Sequence, residues 1–402
     1  MASSDSSTIH PNVWFPFTSM KDMPAFPRVE RGEGAWLLTE DGTWLLDLIS
    51  SWWVNLHGHA RTEIAEAIFD QALEFEQVIF AELTHEPAEK LAEKLVEQLP
   101  GSLNKVFYSD NGSTAVEIGL KIAYQHWINR GDKRETFIGF EGAYHGDTVG
   151  AMSVGARSVF TDVFQDLLFD VDRVPYPATW WDDPDVEKKE RESLERIEEL
   201  LKQNPGRYAG IIIEPLLQGA GGMRMCREEF LQELRKLASR YNTLLIFDEV
   251  LTGFGRTGDW FACRQARVQP DIVCLAKGIT GGFLPLAATV ATDEIFESFV
   301  SDDPMTTFYH GHSYTANPLG CAAALKSMEL LEWNEYQFKG LEDIHREQVR
   351  MLVEDLPHVK RPRVKGSVAA VDIQVEEEGY LSKVGQVIRR EARKRNLLLR
   401  PL

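Results

Sequence analysis

The middle of the chain alternates short, continuously apolar runs with longer amphipathic stretches. Each apolar run has the length of a strand, and a strand that is apolar on both sides needs helices over both faces of its sheet. The amphipathic stretches Thr114–Trp127 and Arg227–Arg240 would supply that cover. The pattern therefore predicts an α/β fold with a parallel sheet that helices cover on both faces. The predicted strands are Lys105–Tyr108, Thr136–Phe140, Gly210–Glu214, Leu244–Asp248, Asp271–Leu275 and Leu286–Ala291.

The chain is long enough for a second, smaller domain. Its 402 residues exceed what one ordinary hydrophobic core holds. Helical patterns at Asn317–Glu332 and Gly340–Leu356 lead into a short α/β segment, where a small domain would begin. Near the start, Asp41-Gly42 is a turn signal between two apolar runs, and this hairpin could pair with the C-terminal part. We predict an N-terminal segment over residues 1–58 that contributes to the small domain, a large domain over 59–325, and a C-terminal small domain over 326–402.

Charge and composition exclude several classes of partner. The net charge of −19 argues against nucleic acid and against an anionic membrane surface, because both attract basic proteins. No apolar run approaches the roughly 20 residues that span a bilayer. The first residues, MASSDSSTIHPN, lack the pattern of a signal peptide. The spacing of the four cysteines suits neither a zinc site nor a disulfide framework. We therefore expect a cytoplasmic protein with reduced thiols.

Polar residues follow several predicted strands at the point where each strand ends. Ser109-Asp110-Asn111-Gly112-Ser113, Glu214, Asp248 and Lys277 all occupy such positions. In open α/β sheets, ligands bind beyond the carboxyl ends of the strands. We therefore expect these residues to converge on one crevice.

Gly112 and Ser113 form a turn between a predicted strand and a predicted helix. The glycine lets the backbone approach a ligand, Ser113 adds a hydroxyl, and exposed amides at a helix start favour a phosphate. Thr114 and Glu117 have the spacing of a capping box, which would begin the helix there. An ordinary capped turn without a ligand is the alternative.

Lys277 and Asp248 suggest a more specific ligand. A lysine at the end of a central strand is either a surface charge or a desolvated amine, and a desolvated amine is a nucleophile toward an aldehyde. Asp248 could pair with a protonated pyridine nitrogen, although it could instead cap a helix or bind Arg256. Tyr144 could stack on such a ring or belong to a loop wall. A phosphate, a pyridine nitrogen and an aldehyde are the three functional groups of pyridoxal phosphate (PLP). The HGH pairs lack a third ligand pattern, so we expect no metal.

Five motifs make the chain resemble the class III aminotransferases of PLP-dependent fold type I. They are FYSDNGSTAVEIGLKIA, IIIEPLLQGAGGM, LLIFDEVLTGFGRTG, DIVCLAKGITGG and HGHSYTANPLGCAAA. The resemblance implies an α/β fold with a large PLP-binding domain, whose mostly parallel, mixed sheet lies between helices, and a smaller α/β domain. It also implies that Lys277 forms the Schiff base and moves the proton, that Asp248 pairs with the pyridine nitrogen, that Gly112 and Ser113 hold the phosphate, and that Tyr144 stacks on the ring.

Within this family the chain is most similar to the branch that acts in biotin synthesis. The motifs that carry this likeness are WFPFTSM, DLISSWWVNLHGH, FEGAYHGDTVGAMSVG, GAGGMRM and LLLRPL. It implies that the acceptor is 8-amino-7-oxononanoate, the product 7,8-diaminononanoate and the donor S-adenosylmethionine or lysine. It also implies a homodimer with shared active sites. The implied substrate-side roles are a pocket wall at Trp52 and Phe17, a carboxylate contact at Arg400, a neighbour of the substrate at Gly311, phosphate contacts from the other subunit at His312 and Ser313, and a donor side shaped by Arg256 and Asp147.

The chain departs from the branch at three places. Phe17 stands where relatives carry a tyrosine that helps to recognise substrate, which leaves both donors open. His312-Ser313 replaces the more usual Pro-Thr, and the serine hydroxyl can serve the same purpose. The family continues past LLLRPL with a strand and a helix, so the small domain is expected to be truncated. The alternatives to this activity are a class III enzyme using an ω-amino acid with pyruvate or 2-oxoglutarate, a PLP carrier without turnover, and a nucleotide-binding α/β module.

Overall fold

The computed structural model describes residues 12–21, 26–158, 161–374 and 383–402. Its strands are β1 (Val29–Glu33), β2 (Trp36–Thr39), β3 (Trp44–Asp47), β4 (Leu103–Ser109), β5 (Thr136–Phe140), β6 (Asp172–Val174), β7 (Tyr208–Ile213), β8 (Leu217–Gln218), β9 (Arg224–Met225), β10 (Leu244–Asp248), β11 (Ile272–Leu275), β12 (Ala287–Thr292), β13 (Val359–Lys365), β14 (Val368–Ile373) and β15 (Leu397–Leu398). Its helices are α1 (Ser50–Trp53), α2 (Thr62–Glu74), α3 (Glu86–Gln98), α4 (Gly112–Asn129), α5 (Val149–Val154), α6 (Val186–Gln203), α7 (Glu228–Arg240), α8 (Ala262–Ala266), α9 (Asp293–Glu297), α10 (Pro318–Trp333), α11 (Glu335–Asp355) and α12 (Lys383–Arg393).

A seven-stranded mixed sheet forms the centre of the molecule. Its order is β4-β12-β11-β10-β7-β5-β6, and β12 is antiparallel to both of its neighbours. The other strands run parallel to one another, so their carboxyl ends share one edge of the sheet. The predicted α/β class and the mostly parallel, mixed sheet are confirmed.

The central strands are buried on both faces. In β10, Leu245 and Phe247 belong to one core cluster, whereas Leu244 and Ile246 belong to the other. Side chains alternate between the two faces of a strand, so each face needs its own apolar cover. Helices α3, α6 and α7 supply residues to the first cluster, and α4 supplies most of the helical residues of the second. This is why the strands read as continuous apolar runs.

A second sheet brings distant parts of the chain together. The hairpin β2–β3 is antiparallel, as predicted, and its turn is capped by Asp41, whose Oδ1 accepts bonds from Thr39 Oγ1 at 2.7 Å and Thr43 N at 3.0 Å. Strand β15 then pairs in parallel with β3, through Leu397 beside Leu46. The N-terminal hairpin thus contacts the C-terminal part, while the boundaries at residues 58 and 325 stay predictions.

The predicted capping box of α4 was wrong. The helix begins at Gly112, and its cap is Asn111, which exchanges hydrogen bonds with Thr114 at 3.1 Å in each direction. Glu117 faces away from that end and accepts bonds from the amides of Gly150 at 2.6 Å and Ala151 at 3.1 Å. The helix starts earlier than predicted because the chain leaves the sheet at the end of β4, and an asparagine there can cap it.

In the described ranges, no helix has the length and apolar character needed to cross a membrane.

Candidate active site

Asp248 ends β10 as a buried carboxylate with only 3% of its surface exposed. Its Oδ2 lies 2.7 Å from Nδ1 of His145, and its Oδ1 accepts a hydrogen bond from the amide of Val250 at 3.0 Å. Arg256, the alternative partner, instead donates to Ser367 Oγ and to the carbonyl of Trp53, each at 3.2 Å. Asp248 is therefore held in place by a histidine rather than by an arginine.

His145 is a site residue that sequence reasoning missed. Burial alone would lower its pKa, but the hydrogen bond and the negative charge of Asp248 outweigh burial and raise it. The Nε2 atom of His145 is buried and has no hydrogen-bond partner among the described residues. Its only signal in the sequence is its place in the motif YHGD beside Tyr144. We infer that the role of His145 is to hold the carboxylate of Asp248 in position.

Lys277 follows β11 in the left-handed backbone region, with φ 47°. A non-glycine residue rarely adopts this conformation unless its surroundings hold it there. Burial lowers the pKa of its amine and the charge of Arg256 lowers it further, against the opposing effects of Asp248 and Glu214. The Nζ atom lies 5.5 Å from the ring centre of Trp53. Of the two readings of this lysine, the structure supports the desolvated amine.

Glu214, which follows β7, binds the backbone of the loop that contains Tyr144. Its carboxylate accepts hydrogen bonds from the amides of Tyr144 at 3.2 Å and Gly219 at 3.1 Å. Burial raises the pKa of Glu214 to about 7. The phenol of Tyr144 donates to Oδ2 of Asp147 at 2.9 Å, which fixes the orientation of its ring. Burial raises the pKa of the Tyr144 phenol, and the charges of Asp147, Glu214 and Asp248 raise it further.

Gly112 and Ser113 form the first turn of α4, beside the loop that carries Asp147. The amide of Asp147 donates to Oγ of Ser113 at 3.3 Å. Gly146 has φ 127°, and a Cβ atom built there would overlap with Ser113 Oγ, so only glycine keeps this hydroxyl accessible. A hydroxyl beside free helix amides is suited to a phosphate.

Trp52, Phe17 and Arg400 form a second part of the site. The rings of Phe17 and Trp52 are 5.8 Å apart and tilted by 47°. The guanidinium carbon of Arg400 lies 4.6 Å from the ring centre of Trp52. Trp53, the next residue, contacts Lys277 as described above. The side chains of Trp52 and Trp53 therefore form a tryptophan wall, with the guanidinium of Arg400 beside Trp52 and the amine of Lys277 beside Trp53.

The loop with Gly311, His312 and Ser313 lies beside α4 of its own chain. Nδ1 of His312 is 3.3 Å from Oδ2 of Asp110, and Gly311 and Ser313 are exposed. The flanking side chains Tyr309 and Tyr314 are 73% and 64% exposed. Exposed aromatic side chains close together on one loop make it a candidate contact surface for another protein.

Comparisons with known proteins identify the family of this chain. The family model for aminotransferase class-III matches residues 18–399. An adenosylmethionine-8-amino-7-oxononanoate aminotransferase of Synechococcus elongatus is 56% identical over 393 residues, which cover 98% of this chain and 92% of that protein. The protein of the same name from Geobacter sulfurreducens is 42% identical over 407 residues, which cover 97% of this chain and 89% of that protein.

Solved structures give the same result for the fold. The crystal structure of an adenosylmethionine-8-amino-7-oxononanoate aminotransferase from Methanocaldococcus jannaschii matches with a TM-score of 0.89 at 36% identity and covers 97% of this chain and 90% of its own. An amine transaminase from an uncultivated Pseudomonas species, solved with PLP bound, matches with a TM-score of 0.90 at 31% identity, covering 98% and 92%.

Proposed function

Because this chain belongs to the class III aminotransferases, which depend on PLP, we propose that it transfers an amino group from S-adenosylmethionine or lysine to 8-amino-7-oxononanoate. The product would be 7,8-diaminononanoate, an intermediate of biotin synthesis. The observation that carries this proposal is the wall of Trp52 and Trp53 between Arg400 and Lys277. Such a wall suits a long methylene chain with a carboxylate at one end and a ketone near the other.

The described residues fit the cofactor at three separate points. Ser113 and the first amides of α4 provide the phosphate contact, with Gly146 leaving room for it. Asp248 provides a buried carboxylate for a protonated pyridine nitrogen. Lys277 provides a half-buried amine whose pKa is lowered by desolvation. When bound, PLP supplies an aldehyde that takes up and returns an amino group, and a ring that accepts electrons.

Each residue around the cofactor then has a defined task. The Nζ atom of Lys277 would be the amine that holds the cofactor, and it would later act as the base that carries a proton from the donor carbon to the cofactor carbon. Asp248 keeps the pyridine nitrogen protonated, and His145 keeps Asp248 in position. Tyr144, oriented by Asp147, covers one face of the ring. Together these residues support ping-pong transamination in two half-reactions.

The substrate side follows from the charges and rings around Trp52. Arg400 would bind the acceptor's carboxylate, and Gly311 would leave space beside the chain. Phe17 packs against Trp52 without a hydroxyl, so donor recognition would depend on the remaining polar groups. Arg256 is buried, and burial lowers its pKa to about 10; no carboxylate within the described residues forms an ion pair with it. We assign Arg256 and Asp147 to the donor side.

A single-turnover experiment tests the acceptor. We expect the pyridoxamine form of the enzyme to react with 8-amino-7-oxononanoate, with a change in the visible spectrum of the cofactor. In the matched variant Arg400→Met, the reaction with the acid should slow, whereas the reaction with its methyl ester should not, because the ester has no carboxylate to lose. Parallel assays with S-adenosylmethionine and lysine would identify the donor. No reaction with this ketone, combined with turnover of pyruvate or 2-oxoglutarate, would contradict the proposal and favour an ω-amino acid transaminase.

The loop at 311–313 supports a shared site in a homodimer. We assign His312 and Ser313 to the phosphate of the partner subunit, and the exposed Tyr309 and Tyr314 to the surface that the partner covers. The predicted location in the cytoplasm belongs to the same proposal.

Subunit mixing tests the shared site directly. A Lys277→Ala subunit and a His312→Ala/Ser313→Ala subunit should each be weakly active alone. Mixed in equal amounts after dissociation, they should regain about a quarter of wild-type activity, because half of the dimers are mixed and each contains one intact site. Mixing Lys277→Ala with a Lys277→Ala/Ser313→Ala subunit is the matched control and should give no recovery. If the first mixture also gives none, the loop does not serve the partner.

A further inference from the structure

The turn that carries Trp52 and Trp53 has an unusual backbone. Ser50, Ser51 and Trp53 have φ values of 49°, 62° and 59°. This left-handed region favours glycine, and the turn contains none. Three backbone bonds close it, from Trp53 N to Ile49 O at 2.9 Å and from the amides of Val54 and Asn55 to Ser50 O at 3.0 and 3.3 Å. Such a turn persists only when neighbouring groups hold it.

Asp47, the last residue of β3, is the group that holds the beginning of this turn. Its Oδ1 accepts a hydrogen bond from the amide of Ile49 at 3.1 Å, and its Oδ2 accepts one from the amide of Ser51 at 2.6 Å. The Asp47 side chain is only 1% exposed. The carboxylate is therefore committed to the backbone immediately before Trp52.

His59 and Asn55 fix Asp47 from the other side. Nε2 of His59 lies 3.0 Å from Oδ2 of Asp47, and Nδ1 of His59 lies 2.8 Å from Nδ2 of Asn55. The Asn55 amide nitrogen can only donate, so Nδ1 must accept and the ring proton must sit on Nε2. The Nε2–H group of His59 then donates a hydrogen bond to the carboxylate of Asp47. The three side chains form one directed hydrogen-bond chain.

The same chain of residues contacts the segment that follows Lys277. Gly282 has φ 92°, and a Cβ atom built on it would overlap with Oδ1 of Asn55. The side chain of Asn55 therefore lies between His59 and Gly282, which belongs to the segment after Lys277. One network therefore supports the tryptophan wall and also touches the loop of the reactive amine.

We propose that Asp47, His59 and Asn55 are positioning residues that set the orientation of Trp52 and Trp53, and thereby the fit of the acceptor's methylene chain. The inference rests on the proposed function, because the acceptor defines what the wall must fit. None of the three residues is assigned contact with the substrate. Their effect acts through the turn at Ser50–Trp53.

The test combines kinetics with ¹⁹F NMR of the holoenzyme labelled with 5-fluorotryptophan. The chain has 10 tryptophans, and Trp→Phe variants assign the signals of Trp52 and Trp53. In Asp47→Ala and His59→Ala, we expect these two signals to move while the others stay. The KM for 8-amino-7-oxononanoate should rise about tenfold with kcat changed less than about twofold, since the reacting groups are intact.

Two further variants separate positioning from folding. His59→Gln keeps a donor near the place of Nε2 and should restore both the KM and the two signals. Asp41→Ala removes a similar turn cap from the same sheet, at a turn remote in sequence from Trp52, and should change neither. Unmoved Trp52 and Trp53 signals in Asp47→Ala, movement of all the signals, or failure of His59→Gln to restore them would overturn the inference. An inactive wild type would contradict the proposed acceptor instead, and the NMR spectra would still decide the role of Asp47.

Discussion

Replacing Lys277 by alanine is expected to lower kcat about 10⁴-fold, because the variant loses both a nucleophile and the base that moves the proton. Among the described residues, the charged groups that act on the Lys277 amine are Asp248, Glu214 and Arg256, and none of them carries an amine that could form the Schiff base in its place. Single-turnover kinetics with the preferred donor would measure the loss. Added methylamine should restore part of the rate, because a small amine can take the vacated place of Nζ.

A matched lysine variant is the control for Lys277→Ala. Lys189 is also a partly buried lysine over a tryptophan ring, with its Nζ atom 3.8 Å from the ring centre of Trp180. Lys189→Ala should leave kcat unchanged.

The pH dependence of cofactor binding gives a further prediction. PLP should bind to Lys277 of the wild-type apoprotein at a lower pH than the pH at which it reacts with solvent-exposed lysines. The sign follows from the pKa, since a lowered pKa keeps the amine deprotonated, and hence nucleophilic, further into acid. Full activity of Lys277→Ala would refute the assignment.

Replacing Asp248 by asparagine is expected to lower kcat about 10³-fold. Asparagine has nearly the same shape and can still accept the bond from His145, so the change removes mainly the charge opposite the pyridine nitrogen. Steady-state kcat and the affinity for added PLP would be measured together. The kcat should fall far more than the occupancy, because the phosphate contacts at Ser113 remain.

Asp271→Asn is the matched control for Asp248→Asn. Asp271 immediately precedes β11 at the opposite edge of the same sheet, and its Oδ2 binds Arg235 and the amide of Leu245. Its loss should affect stability rather than kcat. Equal kcat losses in the two variants would mean that Asp248 acts through the sheet and not at the cofactor.

The strand ends were predictable because each central strand is enclosed on both faces. Burial makes the run at Leu244–Asp248 apolar until the chain leaves the sheet, so the first charged residue marks the edge where ligands bind. Both bounds of that strand were predicted correctly. Asp248 and Lys277 were proposed as site residues in this way, and a parallel sheet brings such residues to one edge whatever the order of its strands.

The residues that were missed are those whose role depends on a distant partner. The sequence around His145 does not indicate that it reaches Asp248, because the contact forms only when the loop after β5 meets the end of β10. The pair of His59 and Asp47 is close in sequence but depends on a turn of unusual φ values, which apolar periodicity does not encode. The capping box failed for a related reason. The pairs Asn111–Thr114 and Thr114–Glu117 both have the spacing of a capping box. The first pair forms the cap because β4 ends at Ser109, just before Asn111.

The pairing of β3 with β15 also has a consequence for how the enzyme is made. Leu46 and Leu397 are about 350 residues apart, so this contact closes late during synthesis on the ribosome. The cofactor-binding strands can assemble earlier, since the chain between β4 and β12 contains all of them. We therefore expect the nascent protein to acquire its cofactor-binding residues before Arg400 reaches Trp52. Substrate recognition would then be the last property to appear, and a nascent chain could retain PLP before it can select an acceptor.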